Sequence, residues 1–305
     1  MPACSRLEDV EPARQRPGCP PLLTVSESYQ AAALIVVGHG TTLNAESSAP
    51  VYQHCAELRR RKLFAEVREA FWKQEPALGR VISQVTAERV FIAPFFISEG
   101  YFCEAVIPRA LGFLGEKPAE FTRVRQNGHQ RLAYCKPVGT HQSMTAVLLA
   151  RARQVTEIPS FTRPPQPKET TLFIAGHGTS QNENSRQAIE RQVELIQPLG
   201  HYAAVHAVFL EEEPRVPECY RLAHTRNLVV VPFFISDGLH AQEDIPLLLG
   251  EPPEAIKERL RNGQPSWPSP TEKNGKLVWY APAVGTHPLM SEVLLQRVRE
   301  AAAWG

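Results

Sequence analysis

The sequence predicts an α/β protein made of two tandem copies of one unit, each a small parallel β-sheet flanked by helices. Three observations predict it. The phrase "LIVVGHGTTLN" from Leu34 returns as "LFIAGHGTSQN" from Leu172, an offset of 172 − 34 = 138 residues, and the same offset relates Pro76 to Pro214 and Pro94 to Pro232. Such self-similarity at fixed spacing marks a duplicated unit. The apolar runs "VFIAPFFI" and "LVVVPFFI" are continuous rather than alternating, as in strands buried on both faces of a parallel sheet. Segments of helical period separate them, the β–α alternation of a sheet covered by helices.

The elements follow in order. Residues 1–30, containing the Pro/Arg-rich "MPACSRLEDVEPARQRPGCPP", read as a flexible leader. The first repeat spans 31–156, a proline-rich linker 157–168, and the second repeat 169–305. In each repeat a strand (34–37; 172–175) runs into "GHGT". A helix follows in the first, with Val51, Cys55 and Leu58 on its apolar side. Further strands are expected at 67–72 and 205–210, then at 89–97 and 227–235. A fourth leads into "KPVGTH" or "APAVGTH", which opens a last helix with Met144, Val147 and Leu148 on its apolar face. The alignment resumes at "VGTH" with eight extra residues in the second repeat, assigned to a surface loop around "NGQPSWPSPTEKNG".

Composition narrows the function. At 305 residues the chain accommodates two ordinary domains. A formal charge of +1 gives no reason to expect nucleic acid or an anionic membrane as partner, and no apolar run approaches the ~20 residues of a membrane span. The six cysteines form no C-x-x-C pair, which argues against zinc knuckles and compact iron–sulfur motifs. With no secretory apolar segment, they are expected to be reduced thiols of a cytoplasmic protein.

In open parallel sheets ligands bind beyond the carboxyl ends of the strands. The second repeat places His177, Glu211 and His240 at three such ends. Two imidazoles and a carboxylate suit a divalent first-row metal and leave exchangeable positions. The first repeat has His39, Lys73 and Phe102 at the matching places, where a cation and a phenyl ring cannot ligate. It therefore reads as a degenerate partner. Blander readings stand beside these. A "GHG" histidine also serves as a turn residue, and Glu211 opens an acidic run with Glu212 and Glu213 that suits a solvated face. His141 and His287 suit the start of the last helix. Glu243 and Asp244 either attract a hydrated cation or cap the next helix. "GHGT" is neither a Walker loop nor a dinucleotide fingerprint.

In "GHGT", "VFLEEEP", "PFFISDGLHAQEDIP" and "PAVGTHP" the sequence resembles the class II tetrapyrrole chelatases, specifically sirohydrochlorin chelatases of the CbiX kind, over roughly 31–153 and 169–303. Two copies in one chain resemble the long form. The resemblance implies two pseudo-twofold-related chelatase-like domains around a central cleft, in a monomer whose lobes form an intrachain pseudo-dimer. It implies His177, Glu211 and His240 as metal residues, with the two histidines as ligand and base in either assignment. His39, Ser236 and Gly238 would contact the substrate. The implied reaction is that of a lyase, ATP-independent insertion of Co²⁺, Fe²⁺ or Ni²⁺ into a sirohydrochlorin-type tetrapyrrole in cobalamin or siroheme biosynthesis. It uses no organic cofactor, and its partners are the tetrapyrrole and the ion. Loop amides after "GHGT" would hold the substrate's carboxylates. The alternatives are a chelatase for another macrocycle or metal, and a non-catalytic tetrapyrrole or metal carrier on the same bilobal fold. A bilobal sensor resembling periplasmic binding proteins is disfavoured by the His/Glu set and the lack of a signal peptide.

Overall fold

A computed structural model describes residues 29–41, 47–115, 121–157, 164–178 and 183–304. Most of the expected leader, with Cys4 and Cys19, and residues 158–163 of the linker lie outside the described residues. The first repeat runs β1 (Tyr29–Gly38), α1 (Ala49–Arg61), β2 (Phe64–Phe71), α2 (Leu78–Gln84), β3 (Arg89–Pro94), α3 (Ile107–Ala110), β4 (Val124–Asn127), β5 (Gln130–Tyr134) and α4 (Met144–Thr156). The second runs β6 (Thr170–Gly176), α5 (Asn184–Ile196), β7 (Ala204–Phe209), α6 (Cys219–Leu222), β8 (Asn227–Pro232), α7 (Ile245–Leu248), α8 (Pro253–Arg261), β9 (Thr271–Lys273), β10 (Lys276–Tyr280) and α9 (Met290–Ala302). Strand β1 thus begins two residues inside the span read as leader.

The two sheets share one topology, β2-β1-β3-β5-β4 and β7-β6-β8-β10-β9. Four strands of each are parallel, and the fifth closes an antiparallel hairpin at the edge, β4 on β5 and β9 on β10. The expected parallel sheet is therefore a parallel sheet with one antiparallel edge. The hairpin in the second repeat turns at Asn274-Gly275, both at positive φ, the signature of a two-residue β-turn. It occupies part of the segment expected to be a surface loop. Trp267 in that segment is buried, its indole N–H donating to the Val278 carbonyl at 3.1 Å.

A parallel sheet needs apolar cover on both faces. The outer faces are covered within each repeat: Leu78 and Val81 of α2 and Ile107 of α3 pack on the first sheet, Cys219 and Ile245 on the second. The inner faces belong to one shared cluster, which runs from Leu34, Val36 and Phe91 through Met144, Leu148, Leu294 and Val298 to Leu172, Val229 and Trp279. Helix α4 lies on β8 and β10, and α9 on β3 and β5. Each repeat's last helix thus covers the other repeat's sheet.

Two buried guanidinium groups fix this exchange. Arg151 of α4 donates through Nε to the Ala283 carbonyl (3.1 Å) and through Nη2 to Thr286 Oγ1 (2.5 Å). Arg297 of α9 donates in the same way to the Pro137 carbonyl (2.9 Å) and Thr140 Oγ1 (2.7 Å). His54 of α1 adds hydrogen bonds to the Gly285 carbonyl (2.7 Å) and Ser291 Oγ (3.2 Å) of the second repeat. Among the described residues, no helix is long and apolar enough to cross a membrane.

Burial holds His54 below its ordinary 6.5, the Gly285 hydrogen bond partly offsetting this and Arg151 adding to it. Burial, Arg151 and His54 together take His287 down to about 4. Both depressed values mean that the unfolded chain binds more protons than the folded one below about pH 6.5, so stability is complete above that pH and is lost as pH falls toward 4. Thermal denaturation is expected to show a lower Tm at pH 5 than at pH 7.5, with a smaller drop in His287→Asn. An acid-insensitive Tm would contradict this.

Candidate metal centre

Each "GHG" loop leaves the carboxyl end of the first strand of its repeat, β1 or β6, which lies between two parallel neighbours. Gly178 adopts φ +63°, and a Cβ there would lie 2.9 Å from Phe209 Cβ, so glycine lets β6 turn tightly against β7. The Glu211 amide donates to the His177 carbonyl at 3.1 Å, which ties the end of β7 to the same loop. Glu211 Oε2 consequently lies 3.8 Å from His177 Nδ1. His240 opens a π-helical turn, His240–Asp244, that leads directly into α7. Such wide turns concentrate at functional positions. The His177 and His240 rings meet edge to face, with centroids 4.9 Å apart and planes at 86°.

Hydrogen bonds set the tautomers. His177 Nδ1 donates to the Gly178 carbonyl at 2.8 Å, and His240 Nδ1 donates to Asp244 Oδ2 at 2.6 Å. A neutral imidazole carries one N–H, so both Nε2 lone pairs are left for a metal or a proton. Asp244 is thus the orienting partner of His240; it makes no side-chain cap to α7. The three residues are neighbours, but among the described residues no group of three or more His, Cys, Asp or Glu lies in an arrangement that could already hold a metal ion. Glu211 is the most exposed of them, at 57%. Ser236 and Gly238 lie in the loop between β8 and His240, partly buried. Residues 42–46 and 179–182, whose amides were expected to bind substrate carboxylates, lie outside the described residues.

The CbiX family model matches residues 33–155 and again 171–301. The chain belongs to the CbiX family. It is 40% identical over 281 residues to a probable sirohydrochlorin cobaltochelatase of Halobacterium salinarum, covering 89% of this chain and 92% of that protein. A sirohydrochlorin cobaltochelatase of Methanopyrus kandleri is 31% identical over 138 residues, 43% of this chain and 95% of the relative. Among solved structures, DR2241 of Deinococcus radiodurans, a multi-domain protein with structural similarity to chelatases, superposes with TM-score 0.69 at 29% identity. It covers 89% of this chain and 54% of that one. SirB of Bacillus subtilis gives TM-score 0.62 at 17% identity over 89% and 96% of the two chains, a likeness of fold.

Within this family frame the first repeat keeps the scaffold and the first histidine, His39, with Lys73 and Phe102 at the places of Glu211 and His240. His39 Nδ1 donates to the Gly40 carbonyl at 2.9 Å, and the Lys73 amide donates to the His39 carbonyl at 2.9 Å. Phe102 stands where His240 stands, 4.6 Å from the His39 ring at 88°. Lys73 Nζ lies over the Phe102 ring at 5.7 Å, a cation–π contact. Burial, opposed by the Gly40 hydrogen bond, and the Lys73 charge lower the pKa of His39. The Asn184 side chain donates to the Glu99 carbonyl, joining the Phe102 loop to the segment that follows His177.

Residues beyond those expected support His240. The Tyr280 hydroxyl donates to the Ala241 carbonyl inside the π-helical turn, and Tyr134 repeats this on Cys103 at 2.9 Å in the first repeat. An aromatic at the end of both fourth strands was the available signal. His141 and His287 act as the sequence suggested, each Nδ1 accepting a backbone N–H two residues on, 3.0 Å from Ser143 and 3.1 Å from Leu289. The "VGT" turn seats directly on the His240 loop. The Gly285 amide donates to the Phe234 carbonyl at 2.9 Å, and a Cβ on Gly285 would collide with the Ile235 carbonyl. Because the obstacle is backbone, Gly285→Ala is expected to destabilise by more than about 1 kcal/mol. Gly79→Ala, on an open face of α2, should be neutral or slightly stabilising. Denaturant titration of the two variants checks this, and equal stabilities would contradict it.

Proposed function

We propose that this chain inserts a divalent metal ion, Co²⁺ or Fe²⁺ with Ni²⁺ as a further candidate, into a sirohydrochlorin-type tetrapyrrole without ATP. His177, Glu211 and His240 receive the ion. As a member of this family the chain is a chelatase, and so a lyase. The observation that carries the residue assignment is the pair of imidazoles in edge contact, each with Nδ1 bonded to an acceptor of its own, which leaves Nε2 as the free ring nitrogen. The product would serve cobalamin or siroheme formation in the cytoplasm, where the buried thiols of Cys55, Cys103, Cys135 and Cys219 stay reduced.

Metal insertion releases two protons from pyrrole nitrogens as the ion enters. A neutral imidazole is a suitable acceptor near neutral pH. Asp244 favours His240 for this role once the ion has left its Nε2 for the macrocycle, because a carboxylate on Nδ1 stabilises the imidazolium that forms. His177 and Glu211 then hold the ion with oxygen and nitrogen donors that release it more readily than thiolates would. The second proton passes to solvent through the exposed Glu211 carboxylate. His39 and the Lys73 cation face a polycarboxylate substrate from the first repeat, with Ser236 and Gly238 contacting it from the second.

Anaerobic incubation with sirohydrochlorin and Co²⁺ or Fe²⁺ is expected to give the absorption spectrum of the metallated product. Tight binding without that change would make the protein a carrier. His240→Ala is expected to lower turnover by roughly 10²–10⁴-fold while far-UV circular dichroism stays unchanged; full activity would refute the site. The combination Lys73→Glu with Phe102→His should rebuild the missing donors on the first scaffold. Calorimetric titration would then show a second Co²⁺ equivalent per chain, and an unchanged stoichiometry would mean that the two frames are not equivalent.

A further inference from the structure

The loop between β8 and His240 is held by a residue outside the ligand set. Asp237 Oδ1 accepts the Ala283 N–H at 2.6 Å, and Oδ2 accepts the Thr286 hydroxyl at 3.0 Å. Thr286 Oγ1 also accepts from Arg151 Nη2 at 2.5 Å, while Arg151 Nε donates to the Ala283 carbonyl at 3.1 Å. Arg151 sits on α4 of the first repeat and is only 4% exposed. Behind the loop lies a cavity of about 560 Å³, lined in part by Asp237, Ala241, Gln242, Trp267 and Tyr280. Packing therefore leaves that flank unfilled, and polar anchors must hold the loop there.

The first repeat supplies an internal control. Arg297 binds Thr140 and the Pro137 carbonyl just as Arg151 binds its turn. Glu99 occupies the place of Asp237, yet among the described residues its carboxylate accepts no hydrogen bond from the Thr140 turn. The arginine-to-turn contact is common to both repeats. Among the described residues, the acid-to-turn brace is found in the repeat where two imidazoles stand.

We propose that Asp237 is a positioning residue that fixes the His240 loop to the 283–286 turn, and that Arg151 of the first repeat completes the brace by holding Thr286. The repeat without a ligand set then acts on the one that has it. This rests on the reading of His177, Glu211 and His240 as the metal site.

The test is anaerobic titration of the full chain with CoCl₂, followed by Co²⁺ d–d absorption, with thermal melts confirming folding. Asp237→Ala is expected to weaken Co²⁺ binding about tenfold or more, the scale seen when the support of a ligand is removed. Asp237→Asn should stay within about threefold of the parent, because its amide accepts from Ala283 and donates to Thr286. Glu99→Ala should bind as the parent does. Thr286→Val should weaken binding in the same direction as Asp237→Ala and add nothing when combined with it; it decides the matter should Asp237→Ala fail to fold. A folded Asp237→Ala or Thr286→Val with parental affinity overturns the proposal, as does an equal loss in Glu99→Ala. His240→Ala separates the two readings. If it binds Co²⁺ as the parent does, the metal site itself is wrong; if it loses Co²⁺ while Asp237→Ala does not, only the brace is wrong.

Discussion

The exchange of last helices is the constraint on which the architecture depends. Each sheet has an inner face that its own repeat covers only in part, with α1 or α5, and the remainder is filled by α9 or α4 of the other repeat. The exchange carries a guanidinium into the interior with each helix. A buried cation is tolerated only when its donors are satisfied, and the acceptors that satisfy Arg151 and Arg297 are carbonyls and threonine hydroxyls of the opposite repeat. Burial lowers Arg151 to about 10, with Asp237 opposing the shift, so it remains a cation at neutral pH. Separating the repeats would leave two apolar faces in water and two arginines without their partners. Neither repeat is a self-contained unit.

A scaffold locked in this way leaves its strand-end loops free to diverge. The helices and sheets that meet at the shared core keep the same topology in both repeats, while positions at the rim differ in charge and chemistry. At the repeat offset Glu211 corresponds to Lys73, His240 to Phe102, and Asp237 to Glu99. The loops keep their main-chain geometry through these changes. The amide after the second strand still donates to the "GHG" histidine carbonyl in both, and the π-helical turn still begins at the same place in both. Donor chemistry has changed without altering the frame, which is why one repeat reads as a site and the other as its outline.

The sequence made the repeats, the parallel strands and the strand-end histidines legible because these depend on local pattern: continuous apolar runs, glycine-flanked turns and a constant offset. The helix exchange left no local mark, since Met144, Val147 and Leu148 describe an apolar face equally well whichever sheet it covers. The edge hairpins were hidden by short strands, although Asn274-Gly275 was a usable turn signal. Trp267 was misplaced because prolines around it suggested a solvated loop, whereas its indole bonds to Val278 and fills the outer layer. At the candidate centre, His177, Glu211 and His240 were picked out by residue type and strand-end position, and the fold makes them neighbours. Asp244 and Asp237 were not assigned their roles, because one carboxylate at i+4 and another three residues before a histidine look like ordinary helix-start acids until the π-helical turn aims them.

Exposure at the candidate centre bears on what kind of metal chemistry it can perform. The His177, His240 and Glu211 side chains are 36%, 47% and 57% exposed, far from the buried, closed ligand sets that retain structural zinc. An ion that is itself a substrate must be captured and then surrendered to four macrocycle nitrogens. Its binding free energy in the protein therefore has to fall well short of that in the product. On the proposed assignment, two oriented imidazoles and an exposed carboxylate suit this condition: the rings are held by Gly178 and Asp244, so little ordering is spent on the nitrogen donors, while Glu211 is the most solvent-exposed of the three. Partial preorganisation of this sort is what separates a donor of metal ions from a store of them.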